Sequence, residues 1–130
     1  MARDFQRSKV YAWEFKQFPQ MKSGGMTLDE CKALAARMWG ARVIVKDGRG
    51  RRNACAFTSA PRAKIALPRW ARTKEVVAHE VAHLLNDSGA AHGGIFMGEF
   101  ITLLAEHCGH DKAALTESAT GFGLRVIFSD

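Results

Sequence analysis

The sequence predicts one α+β domain that spans residues 1–130. The length of 130 residues suits a single domain, and 47% hydrophobic with 25% charged residues is ordinary for a globular protein. Segments with helical periodicity flank a central stretch of short β-type runs, and no repeat or long linker divides the chain. We therefore expect a small antiparallel or mixed sheet packed with one central helix and flanking helices.

Two helices are predicted before the first strand. Residues 4–17 carry apolar residues near helical spacing, and a turn at Pro19 ends this segment. Thr27, with Glu30 three residues later, has the pattern of a capping box, which places the start of the second helix there. Gly40 is expected to end it.

Three short runs are predicted to form the sheet. Residues 43–45 and 54–57 are rich in β-forming residues, and the Asp-Gly-Arg-Gly segment at 47–50 is typical of a turn. This arrangement predicts a β-hairpin. A third run at residues 65–67 ends at Pro68.

The remaining chain is predicted to be mainly helical. Aliphatic residues recur through residues 73–86, which indicates a buried helix, and residues 95–108 form a further helix with apolar residues on one side. Asp111 can cap a last helix. A final strand is expected at residues 124–128.

His79, Glu80 and His83 form an HExxH motif inside the predicted buried helix. Residues four apart project from the same helix face, so the two imidazoles can bind one metal ion. Zinc in a catalytic site takes three protein ligands and keeps a position for water, and Glu80 can accept a proton from that water. The motif therefore predicts an active-site helix of a zinc-dependent hydrolase, with Glu80 as general base.

His92 is the predicted third metal ligand. It lies in a glycine-containing loop that lets the chain turn back before the next helix. Glu99 and Glu106 are the rival candidates, because a glutamate on a following helix can complete a zinc site.

These residues resemble the SprT-like metallopeptidases and allied minimal zincins. The resemblance rests on HExxH followed by His-Gly-x-x-Phe at residues 92–96, and it is nearest to small metallohydrolases of phages and actinobacteria. An Arg-x-x-Val-Tyr segment at 7–11, the Asp-Gly-Arg-Gly turn and Pro-Arg-Trp-Ala-Arg at 68–72 extend it over most of the chain.

The resemblance implies a zincin fold with His79, His83 and His92 as zinc ligands and Glu80 as general base. It also implies that residues 65–67 form the edge strand that holds an extended peptide substrate. The zinc ribbon of some SprT-like proteins has no counterpart here, because the chain has no CxxC pairs.

Three functions compete at this stage. A zinc metallopeptidase that cleaves a protein or peptide is the first. A metal-dependent nuclease is the second, and the basic middle of the chain favours it. The third is a non-catalytic nucleic-acid or protein-binding domain in which zinc is structural, which requires a fourth ligand such as Glu99 or Cys108.

Charge and composition limit the expected cellular location and the classes of binding partner. The net charge of +6 permits nucleic acid as a partner through the basic middle segment. No secretory signal or membrane-spanning stretch is visible, so we expect a cytoplasmic protein with no membrane partner and with Cys31, Cys55 and Cys108 as reduced thiols. The basic residues of this segment are Arg37, Arg42, Arg49, Arg51, Arg52, Arg62, Lys64, Arg69, Arg72 and Lys74.

A hydrolase of this kind needs a hydrogen-bond donor near the developing oxyanion. The sequence offers Tyr11, His107, His110 and Arg125 as candidates, and no motif distinguishes among them.

Overall fold

The computed structural model describes residues 4–40, 43–49, 54–59, 62–86, 88 and 90–129, apart from the side chains of residues 55, 57–59 and 62. Over these residues the fold is α+β, with five α-helices, one 3-10 turn and a three-stranded sheet. The helices are α1 (Arg7–Gln17), α2 (Leu28–Trp39), α3 (Lys74–Leu85), α4 (Gly94–His107) and α5 (Lys112–Gly121), and the strands are β1 (Ile44–Asp47), β2 (Cys55–Ser59) and β3 (Arg62–Leu67).

The sheet is mixed, with strand order β1-β3-β2. β1 pairs with β3 in parallel and β2 pairs with β3 antiparallel, so a purely antiparallel sheet is excluded. The predicted hairpin of the first two runs is wrong, because β3 lies between them. β2 and β3 form the hairpin instead, with Ser59 opposite Arg62.

The contacts of Asp47 show how the Asp-Gly segment is used in place of the predicted hairpin turn. Its carboxylate accepts hydrogen bonds from the backbone N–H of Arg49 and from the guanidinium of Arg72, each at 3.0 Å. Arg72 also donates to the carbonyl of Leu67 at the end of β3. The turn residues thus connect β1 to the segment that follows β3.

The predicted edge strand at residues 65–67 is also wrong. These residues lie in β3, which has a neighbouring strand on each side, and the sheet edges are β1 and β2. Ile65 and Leu67 are fully buried. A strand paired on both sides has no free backbone groups for an extended substrate.

Helix α3 is the central helix of the fold. Thr73 caps it by accepting a hydrogen bond from the Val76 N–H, and the same hydroxyl donates to the carbonyl of Met21 at 2.6 Å. α3 is buried around most of its circumference, because α2, α4 and the sheet pack around it. A helix that is buried on nearly all sides must be apolar or carry partnered polar groups.

Helix α1 packs against this core through Val10 and Trp13, which are 0% and 1% exposed. The Trp13 indole N–H donates to the Ser118 hydroxyl of α5 at 3.0 Å. The helix begins later than the sequence predicts, and Phe5 lies before it and is 80% exposed. The apolar periodicity therefore marks the helix interior but not its first turn.

The predicted caps of the other helices are confirmed. Thr27 and Glu30 form the capping box of α2, and Gly40 ends that helix with a left-handed φ of 76°. Asp111 accepts a hydrogen bond from the backbone N–H of Ala114 at the start of α5. These caps are readable in the sequence because their partners lie within four residues.

The predicted final strand at residues 124–128 is absent. The Ile127 N–H donates to the carbonyl of Gly94, so this segment lies along α4 and not at a sheet edge. Gly98 allows the close approach, because a Cβ there would lie 1.9 Å from the Ile127 carbonyl oxygen. The apolar residues that suggested a strand include one buried residue, Leu124, while Ile127 and Phe128 are 45% and 37% exposed.

Within the described residues, no helix has the length and apolar character needed to cross a membrane. Part of the basic middle segment is accounted for by Arg72, whose guanidinium is bonded within the fold. Arg42, Arg51 and Arg52 and the side chain of Arg62 lie outside the described part.

Candidate metal centre

Three histidines that the sequence singles out lie together. His79 and His83 project from successive turns of α3, and His92 comes from the loop before α4. One ring nitrogen of each lies within 4.8 Å of the others, and the Nε2 atoms of His79 and His83 are 3.2 Å apart. Two nitrogen ligands of a tetrahedral zinc ion are about 3.3 Å apart, given Zn–N bonds of about 2.0–2.1 Å. The spacing suits a divalent metal ion.

The cluster is backed by apolar side chains. His79 and His92 are 4% and 5% exposed. Phe96 of α4 stacks on the His83 ring at a centroid distance of 4.6 Å, and its ring lies 5.0 Å from that of His79. These contacts exclude water from one side of the cluster and restrict the orientations of the imidazoles.

Two carboxylates determine which ring nitrogen of each buried histidine is available. Glu14 of α1 is hydrogen-bonded to Nδ1 of His79. Asp4 Oδ2 lies 2.8 Å from Nδ1 of His92, and Asp4 Oδ1 accepts the His92 backbone N–H at 3.1 Å. A neutral ring whose Nδ1 proton is donated to a carboxylate keeps the lone pair on Nε2, so these contacts favour Nε2 as the metal-binding atom of His79 and His92.

His92 Nε2 is buried and has no hydrogen-bond partner. An unsatisfied buried polar atom costs about 1–3 kcal/mol. Next to it, the Nε2 atoms of His79 and His83 face each other, and at most one hydrogen bond can join them. A cation among the three rings would pair with one nitrogen of each histidine once His79 gives up its second proton. The donor set therefore fits a divalent metal ion.

The electrostatics of the cluster keep most of its rings neutral. Burial lowers the pKa of His83, and repulsion from His79 and His92 lowers it further. Burial also lowers the pKa of His92. Burial opposes protonation of His79 as well, but the adjacent Glu14 carboxylate outweighs it and raises the pKa of that ring. Neutral imidazoles are the form that binds metal.

A cleft of about 480 Å³ lies beside the cluster, and His79, Glu80 and Tyr11 line it. Ala54, directly before β2, and Trp70 also line it. The run at residues 65–67 does not line the cleft, and Ala54 places the start of β2 next to it. Within the described residues, β2 pairs with β3 alone, so its other edge is unpaired there.

Glu80 is 6% exposed and is one of the residues that line this cleft. Burial raises the pKa of its carboxyl group, and the negative charge of Glu14 adds to that effect while His79 opposes it. A carboxylate with a raised pKa is a stronger base at neutral pH than an exposed one.

Of the four predicted oxyanion donors, Tyr11 alone lines the described cleft. Its ring stacks on that of His79 at 6.0 Å, and burial raises the pKa of the phenol, so the hydroxyl keeps its proton. His107 and His110 are paired elsewhere, with Glu106 and Glu75.

The rival ligands lie outside the cluster. Glu99 accepts a hydrogen bond from the Ser129 hydroxyl, and Glu106 is exposed beside His107. The Cys108 thiol donates to the carbonyl of Lys74. Within the described part of the chain, the three histidines form the one group with metal-binding spacing, and it includes no fourth protein ligand.

Glu14 and Asp4 are not among the site residues predicted from the sequence. Glu14 carried a readable signal, because it lies four residues after Val10 and next to Trp13, on the face of α1 that is buried. A carboxylate on such a face needs a partner. Asp4 carried no comparable signal, because it precedes the helix and contacts a residue 88 positions away.

In comparisons with known proteins, the chain matches no protein-family model, no curated protein and no solved structure.

Proposed function

We propose that this protein is a zinc-dependent metallopeptidase in which His79, His83 and His92 bind the metal and Glu80 is the general base. The observation that carries the proposal is the convergence of three imidazole nitrogens next to a cleft that the buried Glu80 lines. The resemblance to SprT-like and minimal zincin metallopeptidases leads to the same assignment. Membership of that group is part of the proposal.

His79, His83 and His92 would hold a zinc ion, which when bound would supply a Lewis acid for the activation of water and of a carbonyl group. Glu80 accepts one proton from a water molecule as the water oxygen bonds to the peptide carbonyl carbon. Glu80 then transfers this proton to the leaving nitrogen as the C–N bond breaks. The second proton of the water stays on the new carboxyl group, so the products are a carboxylic acid and an amine, which exchange that proton at neutral pH to give carboxylate and ammonium, and Glu80 returns to its starting state.

Tyr11 is the proposed donor to the developing oxyanion. It is the predicted donor that shares the cleft with Glu80, and its raised pKa keeps the hydroxyl protonated. The edge of β2 that is unpaired within the described residues is the proposed binding site for the backbone of an extended peptide, because Ala54, directly before that strand, lines the same cleft.

The absence of a fourth protein ligand from the described histidine group supports a catalytic over a structural zinc site. Structural zinc sites are closed by four protein ligands, whereas catalytic sites keep an open position. The nuclease hypothesis depends on the basic middle segment, part of which lies outside the described residues. Nuclease activity is therefore one of the outcomes that the test distinguishes.

The test compares zinc-loaded wild type with Glu80→Gln on fluorescein-labelled casein and on labelled single-stranded RNA and DNA. We expect casein cleavage by wild type, its loss with 1,10-phenanthroline, its recovery on adding zinc, and a decrease of about 10²–10⁴-fold in Glu80→Gln. Cleavage of nucleic acid but not casein would replace the peptidase by a nuclease. A Glu80→Gln variant as active as wild type would refute the role of Glu80.

A further inference from the structure

The geometry points to Glu14 and Asp4 as positioning residues of the metal centre, which bind His79 and His92 through Nδ1 and thereby set the affinity for the metal. We infer that the N-terminal segment, residues 4–14, is an integral part of the site. This inference rests on the metal centre of the proposed function.

The burial of Glu14 is the first support. Its side chain is about 6% exposed on the core-facing side of α1, where its neighbour Trp13 is 1% exposed. A buried carboxylate is costly unless a hydrogen-bonded partner of opposite or polar character compensates for lost hydration. The contact with His79 Nδ1 supplies that partner.

The use of both Asp4 oxygens is the second support. One accepts the backbone N–H of His92 and the other contacts the His92 ring, so one carboxylate fixes both the loop and the imidazole. Gln6 adds a hydrogen bond from its Nε2 to the His92 carbonyl at 3.0 Å. His92 comes from a loop and not from α3, so its position depends on contacts of this kind.

These contacts have a chemical consequence for the two rings. A ring that donates its Nδ1 proton to a carboxylate presents the Nε2 lone pair to a metal and is a more basic ligand. Loss of such a partner weakens metal binding by about 10–100-fold in known metal sites. Because coupling is reciprocal, the metal must in turn stabilise the packing of the N-terminal segment.

The test measures zinc affinity by competition with a chromophoric chelator for wild type, Glu14→Gln, Asp4→Asn and Glu75→Gln. Glu75 is a matched control, because its carboxylate is also buried and bonded to a histidine, His110 at 3.1 Å, outside the cluster. We expect affinity to fall by about 10–100-fold in the first two variants and to be unchanged in the control. Urea unfolding of the metal-free proteins measures any general loss of stability separately.

A second readout is the NMR signal of the ring N–H protons in the zinc-loaded proteins. We expect downfield, slowly exchanging Nδ1–H signals for His79 and His92 in wild type, with the His79 signal moving upfield in Glu14→Gln and the His92 signal in Asp4→Asn. A purely structural role for either carboxylate would not shift one ring selectively.

The possible failures are distinguishable. Unchanged affinity in Glu14→Gln and Asp4→Asn, or an equal loss in Glu75→Gln, would overturn the positioning role and leave the metallopeptidase proposal standing. Absence of zinc binding by wild type would overturn both. Tight zinc binding without hydrolysis would overturn the proposed function and leave the positioning role open to the affinity measurement, which decides it.

Discussion

Replacing Trp13 by alanine should reduce the free energy of unfolding by about 3–5 kcal/mol, because the indole is 1% exposed and its removal leaves a cavity in the core. The ring packs edge-on against Phe18 and Phe100 at centroid distances of 5.3 and 6.3 Å, and it joins α1 to α4 and α5. Its N–H also donates to the Ser118 hydroxyl. Domains of this size are stable by about 5–15 kcal/mol, so the variant loses a large share of its stability.

Urea unfolding monitored by circular dichroism gives the free energy of unfolding for the metal-free proteins. Phe15→Ala is the matched control, since Phe15 lies two residues further along the same helix and is 82% exposed; its effect should stay within about 0.5 kcal/mol. Trp13→Phe keeps the contacts with the neighbouring rings and should cost about 1–2 kcal/mol. A loss below about 1 kcal/mol for Trp13→Ala would refute the packing of α1 described above.

Two further predictions concern Gly98 and the buried cysteines. Gly98→Ala should lower the free energy of unfolding by about 1–3 kcal/mol, because the new Cβ displaces the carbonyl of Ile127. Gly121→Ala is the control, because a Cβ there meets open space and should be neutral or slightly stabilising. Thermal unfolding of both variants measures the difference, and equal effects would contradict the close approach of Ile127 to Gly98. Burial raises the pKa of Cys31 and Cys108 to about 11, so both thiols stay protonated at pH 8 and should react slowly with iodoacetamide, with the rate rising as the pH approaches 11. Mass spectrometry of peptides measures each site, and fast labelling at pH 8 would contradict their burial.

Local signals allowed much of the helical structure to be predicted. The capping residues Thr27 and Asp111 and the apolar pattern of α3 each depend on neighbours within one or two turns. The sheet could not be predicted in the same way, because pairing between distant strands depends on tertiary packing. The Asp-Gly turn suggested that β1 and β2 pair, and nothing in the local sequence shows that β3 lies between them.

The residues of the candidate site also differ in whether local sequence or tertiary packing brings them together. His79, Glu80 and His83 are readable because helix geometry relates positions four apart. The glycine-containing loop predicted that His92 comes close to the two helix histidines, and the three histidines do lie together. The contacts of Glu14 and Asp4 cross 65 and 88 positions of sequence, so only the folded chain reveals them.

The most direct test of the central claim is the metal content of wild type, His92→Ala and Glu80→Gln after zinc loading and gel filtration, measured by elemental analysis. The three-histidine site predicts about one zinc ion per chain in wild type and in Glu80→Gln, and loss of the zinc in His92→Ala, because Glu80 lies outside the ligand group. Wild type without zinc, or a His92→Ala variant that retains it, would contradict the account.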